Sequence, residues 1–239
     1  MNVLKNAFRS AVARLEHTHS TPVFLRAFAT VPPHSSHSLP AVCPSCNSQL
    51  PTRLPACPKC FHIQRIHDDH DYYDILDIPF TPNPFLVDAS RLKQHFRNVQ
   101  RYVHPDIWTP HGEVKVNTAR DLSGLVNKAY NTLLFPLGRI QYILRKHGIE
   151  VSESDKIDDV AFISEIMDAR EALEEAESNE DVQKVREENE SLMKDCLNDI
   201  EQLVASQDWD GARGAAVRLR YLQGIEDAAK SWPATPFDH

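Results

Sequence analysis

Apolar residues recur at helical spacing along much of the chain, and two such stretches flank one short polar segment. Between residues 92 and 103, and again between residues 122 and 133, every third or fourth residue is apolar. Each stretch therefore predicts an amphipathic helix with one apolar stripe. Pro105 disfavours helical geometry at His104 and has no N–H to donate, so the first helix should end there. The pattern predicts a helical hairpin with His104, Pro105 and Asp106 at its exposed bend, although an ordinary loop would have a similar composition. The two stripes are Leu92, Phe96, Val99 and Val103, then Leu122, Val126, Ala129 and Leu133.

The first helix of this hairpin carries a basic stripe beside the apolar one. Asp88 is suited to cap its N-terminus, which predicts a helix over 89–103. Lys93, Arg97 and Arg101 follow at four-residue intervals. A solvated face is the usual fate of such charges, but in an otherwise acidic chain this face favours contact with an acidic protein partner.

The acidic C-terminal part, roughly 156–231, predicts three more helices with short connections, which should pack as a bundle. The first of them has a core face and also a second apolar face at Ile163 and Met167. Cys196 lies on an apolar side of the next helix and is interpreted as a buried thiol. The expected core face consists of Phe162, Ile166, Ala169 and Leu173.

Composition agrees with a helical protein. The 239 residues contain only 7 Gly and 16 Pro, and few alternating β-branched runs, so an all-α fold is predicted. The net charge of −8 divides unevenly, with +6 over residues 1–66 and −14 over the remainder. A chain that is acidic over most of its length is a poor bulk ligand for nucleic acid. No apolar run approaches the roughly 20 residues of a transmembrane helix, so no membrane partner is expected.

The N-terminal residues are typical of a targeting sequence. Residues 1–28 hold four basic residues and one acidic residue in an amphipathic, hydroxyl-bearing pattern, which predicts a mitochondrial transit peptide and a matrix location. A basic tail or a surface amphipathic helix is the alternative. Residues 29–41 are rich in Pro, Ser and His and predict a flexible linker.

Four cysteines in residues 42–65 form two C-x-x-C pairs separated by ten residues. Each pair turns two thiolates toward one centre, and two such turns can close a tetrahedron, as in zinc ribbons. Protein ligands would fill all four positions, so a structural zinc site is predicted. A tetrathiolate iron site has the same spacing and stays open as an alternative. The ligands would be Cys43, Cys46, Cys57 and Cys60.

Motifs for catalysis are missing from the sequence. It contains no G-x-x-x-x-G-K-[ST], G-x-G-x-x-G, G-x-S-x-G or H-E-x-x-H motif, and no candidate nucleophile stands beside His104. We therefore predict a binding protein that is not an enzyme and binds no nucleotide itself. Two other functions stay open: a nucleic-acid-binding zinc-ribbon protein, and a thiol-redox protein that uses the C-P-x-C pairs.

A basic helix, a His-Pro-Asp bend and a returning helix together resemble a J-domain. The segments Tyr73–Leu76 and Asn127–Leu133 resemble its opening and its third helix. Pro136–Leu144 and the long loop 79–87 are similar to one J-protein family, HscB, and in particular to its fungal Jac-type members. Mitochondrial members of this family are co-chaperones of iron–sulfur cluster biogenesis.

This resemblance implies a J-domain over 70–148 and a scaffold-binding helical bundle over 156–231, preceded by the zinc-ribbon-like module of residues 42–65. It implies that the chain binds an iron–sulfur cluster scaffold protein and activates the ATPase of a mitochondrial DnaK-type chaperone, which promotes cluster transfer to recipient proteins. In the family, an apolar patch formed by the residues that match Ile163, Met167 and Tyr221 receives the scaffold protein. Ser164 stands where this patch would have a large apolar residue. The other interpretation of Ile163, Met167 and Tyr221 is extra packing in the core. The chaperone-binding residues would be His104, Pro105, Asp106, Lys93, Arg97 and Arg101, and the scaffold-binding residues Ile163, Met167, Asp168, Arg170, Glu171 and Tyr221.

Overall fold

Helices dominate the computed structural model, which describes residues 39–152, 154–155 and 157–232. The predicted transit peptide 1–28 and all but the last three residues of the linker lie outside these residues. The all-α prediction is confirmed, because the described residues contain α-helices, one 3-10 turn and two isolated β-bridges. The helices are α1 (Tyr72–Ile75), α2 (Ala89–Val103), α3 (Pro105–Trp108), α4 (Glu113–Leu134), α5 (Pro136–Lys146), α6 (Val160–Glu174), α7 (Asn179–Ala205) and α8 (Trp209–Lys230), with the 3-10 turn at Thr109–His111.

Helices α2 and α4 form the predicted hairpin. The Asp88 side chain accepts hydrogen bonds from the N–H groups of Ser90 and Arg91, so α2 begins where the sequence predicts. Both apolar stripes are buried against each other and against α1, apart from Phe96, which is half-buried and stacks on Tyr130 at 4.2 Å between ring centroids. These contacts fix the two long helices side by side and leave their connection at one end.

Helices α6, α7 and α8 form the C-terminal bundle. Phe162, Ile166 and Leu173 of α6 are buried in its core, as predicted, and Ala169 is half-buried against it. Cys196 is buried as well, and burial raises the pKa of its thiol to about 11. Helix α5 contributes Ile140, Ile143 and Leu144 to the same core, which joins the bundle to the hairpin.

The loop between α1 and α2 also enters the bundle core. Phe85 is buried there, whereas its neighbour Leu86 is exposed. The Asn83 side chain donates a hydrogen bond of 3.0 Å to the backbone carbonyl of Glu201 in α7. The guanidinium of Arg139 donates to the Phe85 carbonyl at 2.7 Å. This loop therefore holds the hairpin and the bundle together.

The cysteine-bearing segment packs on the hairpin. Leu39, Leu54 and Ala56 are buried in the same hydrophobic core as α1, α2 and α4. The described residues all belong to one compact unit. The part of the chain that the structure describes contains no helix with the length and hydrophobicity of a membrane span.

Replacement of Phe85 by Ala should lower the free energy of unfolding by about 3–5 kcal/mol, because it leaves a cavity in the bundle core. Leu86→Ala removes an exposed neighbour of the same loop and should change stability by less than about 0.5 kcal/mol. Chemical denaturation of both variants measures the difference. Equal stability of the two variants would contradict the placement of Phe85 in the core.

Candidate metal centre and docking surfaces

The four cysteine sulfurs lie close together. The Sγ atoms of Cys43 and Cys60 are 3.6 Å apart, those of Cys46 and Cys57 are 3.7 Å apart, and all four lie within 4.8 Å of one another. A tetrahedral zinc site with Zn–S bonds of about 2.3 Å places its sulfurs roughly 3.8 Å apart. The four thiols therefore fit a tetrahedral metal ion, and the structure has them free and not joined in disulfides.

The two C-x-x-C pairs lie in backbone turns that have the same hydrogen-bond pattern. The N–H of Cys43 donates to the Ser48 carbonyl at 2.8 Å, and the N–H of Cys57 donates to the His62 carbonyl at 2.9 Å. The residue after each C-x-x-C pair has a positive φ, 59° at Asn47 and 55° at Phe61. Asn tolerates this geometry, whereas it is strained for a bulky residue such as Phe.

Phe61 is held in this strained position by the hairpin. Its ring stacks on His111 with 3.9 Å between centroids and meets Trp108 edge-on at 6.4 Å. The Lys115 ammonium of α4 donates a hydrogen bond of 2.6 Å to the Phe61 carbonyl. The second turn of the module is thereby fixed beside the segment that follows the His104 bend.

Hydrogen bonds and burial shift the pKa values of three of the four thiols in different directions. Burial opposes ionisation of Cys57, but hydrogen bonds with Ser48 and with backbone N–H groups of the same turn lower the pKa of its thiol to about 6. A hydrogen bond with Ser48 also lowers the pKa of Cys46. Burial, together with the Cys46 and Cys43 thiols, raises the pKa of Cys60 to about 11. A bound cation would offset the charge of the fully ionised set, so metal binding should release protons.

The four residues that would hold such an ion leave no position for a reactant. When bound, the ion would supply only cross-links among the four sulfurs and no reactive chemistry. The metal-binding arrangement predicted from the sequence is present, while zinc as its occupant stays a prediction.

His104, Pro105 and Asp106 form an exposed bend. His104 ends α2 and also caps α3, where its Nδ1 accepts a hydrogen bond of 3.3 Å from the Asp106 N–H. The same Nδ1 atom lies 3.5 Å from a carboxylate oxygen of Asp106. The side chain of His104 is 53% exposed and that of Asp106 is 88% exposed, so both can contact another protein.

The bend rests on a rigid support. Trp108 is buried, and its indole N–H donates to the Tyr102 carbonyl in the last turn of α2 at 3.0 Å. Two residues before Tyr102, Gln100 bridges to α4 through the Ser123 hydroxyl and the Asn127 side chain, both at 2.9 Å. The exposed imidazole and carboxylate are therefore presented on a fixed backbone.

The predicted basic stripe of Lys93, Arg97 and Arg101 is exposed along α2. All three residues also line a cleft between α2 and the tetracysteine module. The sequence analysis missed the module residue on the opposite wall, Arg53, because no local pattern connects it to α2.

The predicted scaffold-binding residues lie on α6 and α8. Met167 is 65% exposed, an unusual position for a large apolar side chain. Ile163 and Tyr221 are half-buried against the bundle core, and Tyr221 meets the ring of Phe162 edge-on at 6.3 Å. The charged residues Asp168, Arg170 and Glu171 are exposed on the same helix as Met167.

The chain is similar to known proteins in both sequence and structure. Residues 158–230 match the family described as the HSCB C-terminal oligomerisation domain. The chain is 32% identical over 175 residues to the iron–sulfur cluster co-chaperone protein HscB of Homo sapiens, with 73% of each chain covered. It is 36% identical over 155 residues to the J-type co-chaperone jac1, mitochondrial, of Schizosaccharomyces pombe, with 64% of this chain and 67% of that one covered. The crystal structure of human co-chaperone protein HscB matches with a TM-score of 0.69 and 31% identity, covering 79% of this chain and 96% of that chain.

We expect the purified chain to hold one zinc ion, because its four sulfurs have tetrahedral spacing and no open position. Cys57→Ser should lose the ion and lower the unfolding temperature, whereas Cys196→Ser should retain it. Elemental analysis and thermal unfolding of the three proteins measure both effects. Stoichiometric iron in place of zinc, or zinc retained by Cys57→Ser, would contradict the prediction.

Proposed function

Because the chain belongs to the HscB family of iron–sulfur cluster co-chaperones, we propose that it links a cluster scaffold protein to a DnaK-type chaperone in the mitochondrial matrix. It holds the scaffold protein through the C-terminal bundle and stimulates ATP hydrolysis in the chaperone. The chain itself binds no nucleotide. Cluster transfer to recipient proteins then follows from the chaperone cycle.

One observation carries the proposal: an exposed imidazole and an exposed carboxylate lie together at the end of a rigid hairpin. His104 and Asp106 can donate and accept hydrogen bonds in another protein, and their backbone is anchored by Trp108. Such groups act as contacts and not as an active site. The domain division proposed here is a J-domain over 70–148 and a scaffold-binding bundle over 156–231.

The hairpin would act on the chaperone by a population shift. Lys93, Arg97 and Arg101 bind an acidic surface of the chaperone and bring the bend to the interface between its domains. His104 and Asp106 then make contacts that exist only in the hydrolysis-competent conformation, since a ligand shifts an equilibrium only through such differential contacts. Loss of these contacts should remove stimulation even where binding persists.

The scaffold protein would bind the second apolar face of the bundle. Met167 supplies exposed apolar area, Ile163 and Tyr221 extend it, and the surrounding charges of Asp168, Arg170 and Glu171 set the orientation of the partner. A central apolar anchor with a charged rim is the usual arrangement of a specific interface. This face and the His104 bend belong to different helices, so the two partners need not compete.

His104→Gln should abolish stimulation of single-turnover ATP hydrolysis by the cognate mitochondrial chaperone, because the imidazole contact to the hydrolysis-competent state is lost. His147→Gln removes an imidazole after α5, outside the bend, and should preserve stimulation. Undiminished stimulation by His104→Gln would overturn the assignment of the bend.

The triple variant Ile163→Ala, Met167→Ala and Tyr221→Ala should lose capture of the scaffold protein while retaining stimulation of the chaperone without scaffold. Leu192→Ala removes another exposed apolar residue of the bundle, 39% exposed on α7, and should leave capture unchanged. Isothermal titration with the purified scaffold measures both variants. Wild-type affinity in the triple variant would contradict the scaffold-binding role and leave these residues as part of the bundle core.

A further inference from the structure

A cleft of about 830 Å³ separates the tetracysteine module from α2. One wall is the exposed face of α2, including the basic stripe, and the other wall is the module segment Gln49–Arg53. Apolar side chains of Ile75 and Leu76 in and after α1 also line the cleft. The basic stripe of α2 is thus one side of a recess whose other side belongs to the module.

The cleft is strongly basic. Its lining includes Arg53 from the module and Lys93, Arg97 and Arg101 from α2, against the single carboxylate of Asp77. Arg53 and Asp77 form an ion pair of 3.2 Å, and their side chains are 54% and 59% exposed. Four cations against one carboxylate leave a positive potential that an acidic ligand would complement.

The module wall is held in place by contacts on both of its sides. Leu54, directly after the wall, is fully buried in the hairpin core. On the far side of the module, Phe61 is stacked on His111 and held by Lys115, and Arg65 pairs with Asp121 of α4. A wall fixed in this way loses little conformational freedom when a ligand enters the cleft.

We propose that this cleft receives an acidic segment of the DnaK-type chaperone, so that the tetracysteine module forms part of the chaperone-binding surface. The inference rests on the proposed function, because it extends the binding face of α2. Continuity with that face and complementary charge favour this occupant. A segment that reaches the basic stripe from this side must pass Arg53, which then acts as a fourth cation beside Lys93, Arg97 and Arg101.

Two other occupants differ from the chaperone, the first in its charge and the second in its dependence on the concentration of the chain. Residues 1–38 of the same chain precede the module, but they carry Lys5, Arg9, Arg14 and Arg26 against Glu16 alone, so a basic cleft repels them. A second copy could offer its acidic bundle, and that association would depend on the concentration of the chain. The experiment below distinguishes the second copy from the chaperone.

The test uses the two residues of the Arg53–Asp77 ion pair in the full chain. Arg53→Ala removes a cation from the cleft, and Asp77→Asn removes its carboxylate; Asn also tolerates the positive φ of 52° at that position. Both variants break the same ion pair, so a purely structural role would shift them in the same direction. A role in binding an acidic segment shifts them in opposite directions.

The measurement is the concentration of the chain that gives half-maximal stimulation of the chaperone ATPase. We expect Arg53→Ala to raise it about fivefold and Asp77→Asn to lower it, with the maximal stimulation unchanged. The difference should shrink as salt is added. Arg120→Ala, which removes an exposed cation of α4 outside the cleft, should match the wild-type chain.

Equal values for wild type, Arg53→Ala and Asp77→Asn, or shifts in one direction, would overturn the cleft proposal while stimulation by the wild-type chain upholds the proposed function. Absence of stimulation by the wild-type chain itself would overturn both. Sedimentation of the chain alone tests the second copy: self-association that Arg53→Ala weakens, with unchanged stimulation, would assign the cleft to a dimer and reject the chaperone as its occupant.

Discussion

The relative position of the hairpin and the bundle depends on one buried guanidinium. Arg139 of α5 donates to the carbonyls of Leu133 and Leu134 at the end of α4, at 2.7 and 3.1 Å, and to the Phe85 carbonyl at 2.7 Å. The last carbonyls of a helix have no partner within it, so Arg139 satisfies two of them from inside the protein. Burial lowers the pKa of Arg139. The guanidinium also lies over the Phe85 ring, with its Cζ atom 5.5 Å from the ring centroid. The corner between α4 and α5 and the loop that enters the bundle are thereby tied to one group.

Because Arg139 fixes the hairpin relative to the bundle, the separate surfaces on these two parts have fixed relative positions. The His104 bend lies at one end of the hairpin, where α2 passes into α3, while Arg139 and α5 join the hairpin to the bundle where α4 ends. The tetracysteine module packs along the hairpin and shares its core. Partners bound at the bend and on α6 would therefore be held in a defined relative position. Binding of one partner would then raise the local concentration of the other.

The sequence predicted those features that depend on local pattern. The cap at Asp88, the bounds of α2, the proline at the bend and the two C-x-x-C turns all follow from residues within a few positions of one another. Features that depend on contacts between distant residues were missed. Arg139 is an ordinary polar residue in an amphipathic pattern, and nothing near it in sequence indicates that it caps α4 from within. The stack of Phe61 on His111 and the position of Arg53 opposite α2 likewise join segments about 40 or more residues apart, so the module was predicted as a separate unit with no role for its walls.

The most direct measurement of whether the chain is an adaptor is sedimentation of a mixture of the purified chain, the mitochondrial DnaK-type chaperone with ATP, and the iron–sulfur cluster scaffold protein. Two separate surfaces on one frame predict a single complex that contains all three proteins. Omission of the chain should weaken the association of the scaffold protein with the chaperone. Displacement of the chaperone by the scaffold protein, or equal association without the chain, would contradict an adaptor that holds both partners at once.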